Sequence, residues 1–187
     1  MKKIGLTGLF ICALAFGLKA QESKAIKFAS IDKSPLDVVY YPLNATKGKG
    51  AEPVMRVLYS RPYKNGREIF GVLEPFDKVW RVGANESTEL DVFKPIVVGG
   101  KKIAPGRYSL FAIPQKDKWT VIINKQVDRW GAFAYQQAND VVRVECPVGA
   151  TDKTIEVFSI TFVDEEKGTN MVLAWDNTQV MLPIELK

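Results

Sequence analysis

The 187-residue chain contains no histidine and only two cysteines, Cys12 and Cys146. Without histidine, Ser-His-Asp and Cys-His nucleophile systems are excluded as usually built. His-ligated zinc, copper and non-haem iron sites are excluded with them. The commonest general acid–base near neutral pH is gone too. Catalysis would have to rest on Asp, Glu, Lys, Tyr or Ser, or on an oxygen-ligated metal. The residue types therefore favour binding over catalysis, and neither a cofactor nor a metal is expected. No Lys/Arg block interleaves with aromatics, which argues against a nucleic-acid partner. No apolar run reaches the roughly 20 residues of a membrane-spanning helix.

The longest apolar stretch lies at the N-terminus. Lys2 and Lys3 precede the uncharged segment Ile4 to Leu18, and Lys19-Ala20-Gln21 returns to polar sequence. A basic start, an apolar centre and a small residue at the boundary form a secretory signal peptide. Residues 1–20 are thus expected to be an export signal cut near Ala20, with the working chain periplasmic or secreted. Cys12 follows Ile11 and precedes an apolar run, so it does not resemble a lipid-modified cysteine. Lys2, Lys3 and Lys19 leave with the signal, so a chain of 26 basic and 21 acidic residues falls from +5 to +2. Cys146 is then alone and can form no internal disulfide. Its apolar setting, Val141 to Pro147, fits a small buried hydrophobe, with no neighbour that would stabilise a thiolate.

The exported part is one domain long and can bury enough surface to fold without staples. Gln21 to Pro35 reads as a flexible lead-in and 36–187 as the domain. Period-two alternation dominates it. Strands are expected at Leu36–Tyr41, Val54–Tyr59, Lys78–Val82, Thr88–Phe93, Arg107–Ile113, Trp119–Ile123, Val141–Val144, Thr154–Val163, Met171–Trp175 and Gln179–Leu186. Turn chemistry at Asn65-Gly66, Gly99-Gly100, Pro105-Gly106 and Asp176-Asn177-Thr178 separates them. Only Gln126 to Asn139 lacks the pattern, and it is expected to hold an irregular or short helical excursion. About ten short strands with close turn signals predict an all-β, antiparallel β-sandwich, jelly-roll-like in one arrangement, with a closed barrel as the alternative. Tyr108, Leu110, Phe158, Ile160 and Phe162 are expected in its core.

Polar and aromatic residues concentrate in Arg61-Pro62-Tyr63 through Gly71 and in Trp80-Arg81-Val82-Gly83-Ala84-Asn85-Glu86. With Pro105-Gly106-Arg107-Tyr108-Ser109-Leu110-Phe111 and Trp130-Gly131-Ala132, these segments resemble the bacterial exported domain-of-unknown-function family 2911. The resemblance spans Leu36 to Ile184. It implies an exported protein and transfers no catalytic roles.

The ligand-binding candidates are Arg61, Tyr63, Trp80, Arg81, Asn85, Glu86 and Trp130. Arginine can clamp a carboxylate or phosphate. Asn85 and Glu86 can meet sugar hydroxyls, and the irregular Trp130 segment can wall a pocket. The plainer reading makes Arg81–Glu86 a loop-bracing ion pair, Asn85 a turn cap, and the Trp130 segment a plug over an open end of the core. Glu86 and Glu89 as a glycosidase pair are disfavoured because residues three apart on a strand face opposite sides. Asp164-Glu165-Glu166 and Asp176-Asn177 lack a calcium-loop spacing and read as solvated turns. The resulting first reading is a non-catalytic exported module for a small polar or glycan-like ligand. The alternatives are a carboxylate-dependent hydrolase, with Glu86 as acid or base and Arg61 or Arg81 as electrostatic stabiliser, and an envelope domain with a protein partner.

Overall fold

A computed structural model describes residues 25–48 and 50–186. The expected export signal and its cut site lie outside the described residues. Ile31–Lys187 forms one compact unit, and it holds ten described strands: β1 Leu36–Tyr41, β2 Met55–Ser60, β3 Thr88–Val92, β4 Ile96–Val98, β5 Lys101–Ile103, β6 Gly106–Pro114, β7 Lys118–Asn124, β8 Asp140–Pro147, β9 Gly149–Glu165 and β10 Gly168–Leu186. They form a six-stranded sheet, β1-β2-β3-β6-β7-β8, and a four-stranded sheet, β5-β4-β10-β9. Every ladder between strands is antiparallel. The two sheets pack face to face as a sandwich and do not close into a barrel.

Alternation put the right face inside. Leu110 and Ala112 of β6 are fully buried, as are Phe158, Ile160 and Phe162 of β9. Tyr108 is half-buried against that core and its hydroxyl donates to the Ala104 carbonyl at 2.9 Å. One end of the core is a cluster of aromatic rings. Trp80 meets Phe158 at 5.1 Å, Trp119 at 5.7 Å and Phe70 at 5.8 Å between centroids. Tilted and edge-on pairs of this kind add to plain burial.

Two expectations differ, one strand and one turn. Lys78–Val82 is not a strand: Trp80 alone bridges Ala112. Val82 breaks the ladder because its φ is +58°, a conformation a β-branched residue rarely adopts. The Asp176 segment is not a hairpin turn. β10 runs on for 19 residues, and the chain absorbs Asp176, at φ +56°, as register shifts against β9. A bulge keeps both halves of the strand in one sheet.

The expected excursion carries a single 3-10 turn, Gln137–Asn139. It covers the outer face of β6 and β7 rather than an open end of the core. Phe111 and Ile122 are register partners pointing away from the core, yet both are buried. Tyr135 lies over Phe111 at 5.2 Å. Its hydroxyl donates to Asp140 Oδ2 at 2.7 Å, while Asn124 Nδ2 donates to Asp140 Oδ1, also at 2.7 Å. Buried polar groups satisfied in this way anchor an otherwise irregular segment.

Candidate functional site

Six of the seven residues selected from the sequence divide into two groups, and the seventh, Trp80, lies in the core. Arg61 and Tyr63 lie against the edge of β9. Arg61 Nη1 donates to Asp37 Oδ2 at 2.7 Å, Nη2 to Ser159 Oγ at 2.8 Å and Nε to the Phe158 carbonyl at 3.1 Å. Tyr63 bridges Val157 and Phe158 N donates to the Pro62 carbonyl at 2.9 Å. This segment thus extends the four-stranded sheet, and the Arg61 guanidinium is consumed in holding it there.

Arg81, Asn85, Glu86 and Trp130 form the second group, and the backbone brings them together. Glu86 and Trp130 are antiparallel bridge partners. Gly131 N donates to the Asn85 carbonyl, and Ser87 N to the Arg129 carbonyl, both at 2.9 Å. The excursion is thereby stitched to the turn that follows Trp80. The turn is conformationally costly: Val82, Gly83 and Asn85 all have positive φ. Three contacts over-determine it. Trp80 Nε1 donates to the Gly83 carbonyl at 3.2 Å, Thr88 Oγ1 donates to the Val82 carbonyl, and a Cβ on Gly83 would meet the Ser60 carbonyl oxygen at 2.7 Å. Sparsely populated backbone held in this way gathers at binding and catalytic sites.

Trp80 itself is 3% exposed, so its ring belongs to the core and only its N–H reaches the turn. Trp130 is 62% exposed and Phe133 87% exposed, leaving aromatic faces open beside the turn. Arg81 is half-buried. Its Nε is buried without a hydrogen-bond partner, and among the described residues no ion pair joins it to Glu86. The loop-bracing pair is therefore not what holds this turn. Gly131 sits against the arginine: a Cβ there would lie 3.8 Å from Arg81 Nη1 and 2.9 Å from Phe133 Cε2. Asn85 Nδ2 donates to Asp32 Oδ1 of the lead-in at 3.0 Å.

Glu74 also belongs here and was missed in the sequence. Its backbone is fixed by Glu74 N donating to the Ile69 carbonyl and Gly71 N to the Glu74 carbonyl, both at 2.9 Å. Burial pushes its carboxyl up to about 7, against the opposing pull of the Arg81 and Arg67 charges and the Trp80 N–H. A lone carboxylate flanked by Val72, Leu73, Pro75 and Phe76 was the available signal. Glu89 is engaged elsewhere, accepting from Arg107 Nη2 at 2.7 Å, so it does not join Glu86 in a pair. Asp176 Oδ2 accepts from Lys64 Nζ at 2.9 Å. Among the described residues, no three acidic or cysteine side chains are placed to hold a metal. A separate recess of about 340 Å³ lies over β9 and β10, lined by Ile155, Ser159, Thr161, Val172, Ala174 and Gln179 among others. None of the selected residues lines it.

Fold and rim together define a two-sheet β-sandwich with a strained polar turn, an arginine without an ion-pair partner among the described residues and an exposed tryptophan at one border. The family model "Protein of unknown function (DUF2911)" matches residues 42–184, and the chain belongs to that family. No curated protein and no solved structure gives a significant match.

Proposed function

We propose that this chain is an exported binding module that holds a small polar or glycan-like ligand at the rim formed by Arg81, Asn85, Glu86 and Trp130. The observation that carries the reading is Arg81, a half-buried side chain whose Nε is sealed from solvent without a partner and whose guanidinium makes no ion pair among the described residues. Such a group is expensive to keep unless something uses its donors. Trp130 offers an exposed ring on which a sugar can stack, and Glu86 offers acceptors for hydroxyls. Export rests on the N-terminal signal pattern. Mass spectrometry of protein from its native host should find Gln21, give or take a residue or two, as the N-terminus.

A thermal-shift screen against glycans, sugar acids and nucleotides tests the binding reading. A ligand at a hundred times its Kd stabilises the fold by about 2.7 kcal/mol. Trp130→Ala should abolish that stabilisation and leave the unliganded melting temperature unchanged, because the ring is largely in solvent. A stabilising ligand that is indifferent to both Trp130→Ala and Arg81→Gln would remove the rim from consideration.

Glu74 favours a second reading, a carboxylate-dependent hydrolase. A carboxyl held to about 7 suits a general acid better than the exposed Glu86 does. A bell-shaped pH–rate profile on aryl glycosides or esters, lost in Glu74→Gln, would support it. No turnover above the Glu74→Gln background would exclude it.

A further inference from the structure

We propose that the rim recognises a carboxylate group on its ligand, and that Asp32 of the lead-in occupies the Asn85 end of the site until such a ligand displaces it. This rests on the binding reading above and gives it a ligand chemistry. Asp32 and Asn85 are 53 residues apart, and their bond is a tertiary contact, Nδ2 to Oδ1 at 3.0 Å. The same oxygen accepts from Ser34 N at 2.6 Å. These two donors hold the Asp32 carboxyl below the usual range, so it sits on Asn85 as an anion. The protein thus already presents the chemistry it would take from a ligand: a carboxylate oxygen facing an amide donor.

Three features make the place suited to an anion rather than to Asp32 alone. The Asn85 carbonyl is bound by Gly131 N, and its φ of +60° fixes the residue, so the amide is left for recognition. Arg81 Nη1 borders Gly131, and among the described residues no carboxylate forms an ion pair with this guanidinium. Glu74, the carboxyl that acts on Arg81, is about half protonated near pH 7 and leaves the guanidinium charge incompletely neutralised. Asp32 itself is exposed, on a segment without regular structure. A contact between exposed partners is weak and opens readily. A tethered competitor lowers apparent affinity by the fraction of molecules in which the site is open.

The test uses three probes on the protein with its lead-in intact: a galacturonic acid trimer, the neutral galactose trimer and succinate, measured by calorimetry. The acidic trimer should bind at least tenfold more tightly than the neutral one. Asp32→Ala should tighten acid binding by about two- to fivefold and leave neutral-trimer binding unchanged. Asn85→Asp, which replaces the donor by a like charge, should abolish acid binding. Its melting temperature shows whether the turn survives, and Asp32→Ala, an exposed change, carries the test if it does not. Succinate binding with the same Asp32 response would assign the site to free carboxylates; its failure beside a bound acidic trimer would assign it to acidic sugars. Equal affinity for both trimers, or no response to Asp32→Ala, overturns the inference while leaving the rim reading standing if Trp130→Ala still abolishes binding. Binding by none of the three overturns the inference as well.

Discussion

Replacing Glu74 by Gln separates burial from charge at the rim. The Glu74 carboxyl is raised from 4.5 to about 7, with burial the largest cause. At 1.36 kcal/mol per decade, ionising it in the folded protein is harder by on the order of 3 kcal/mol than in the unfolded chain. Because the folded value is the higher one, the folded state holds a proton that the unfolded state has released. The resulting stability is fully present below about pH 4.5, fades as the pH rises, and is lost above about pH 7. Glutamine keeps the shape and cannot ionise. The variant should match the parent near pH 4 and exceed it by on the order of 3 kcal/mol at pH 8. At roughly 2–4 °C per kcal/mol for a domain of this size, its melting temperature at pH 8 should be roughly 6–12 °C higher. Urea unfolding at half-unit steps from pH 4 to 8, with an unchanged slope, reads the difference directly. A difference that stays flat across this range would refute the burial argument. A Gln variant less stable than the parent at pH 8 would also refute it, because Arg81 and Arg67 would then stabilise the carboxylate more than burial penalises it.

Three further outcomes follow from the packing. Phe158 is fully buried and faces Tyr59, Trp80 and Trp175 at 5.1 to 6.0 Å, so Phe158→Ala should lose roughly 3–5 kcal/mol in denaturant unfolding, whereas the exposed Phe133→Ala should stay within about 0.5 kcal/mol. Cys146 is buried and its thiol is pushed up to about 11 by burial; a thiol reagent at pH 8 should label the native protein far more slowly than the unfolded chain, and equal rates would refute this. Tyr135→Phe removes the hydroxyl bonded to Asp140 and Arg143, should lose about 1–2 kcal/mol, and should speed amide exchange across residues 126–139 first; exchange that rises evenly over the sandwich would count against an anchored excursion.

Much of the architecture is a local property and was legible in the residues. Alternation assigned Leu110, Ala112, Phe158, Ile160 and Phe162 to the inside, because on a strand the side-chain period is two whatever the partner. The Gly99-Gly100 pair marked the turn that sets Val98 against Lys101. The polar and aromatic composition of 81–86 and 130 likewise singled out the rim residues. Their meeting was decided elsewhere. Glu86 and Trp130 are bridge partners only because the excursion folds back over β6 and β7 and is anchored by Tyr135 and Asp140. Val82 left the strand pattern because Thr88 bonds its carbonyl, Trp80 bonds that of Gly83, and the approach of Gly83 to Ser60 completes a turn that the propensity of Val82 opposes. Glu74 acquired its raised pKa from desolvation, and Asp32 its place on Asn85 from a contact across 53 residues. Propensity and periodicity act over a few neighbouring residues. Burial, charge pairing and the capture of one loop by another depend on which sheet edges close on each other, and those exist only once the sandwich has formed.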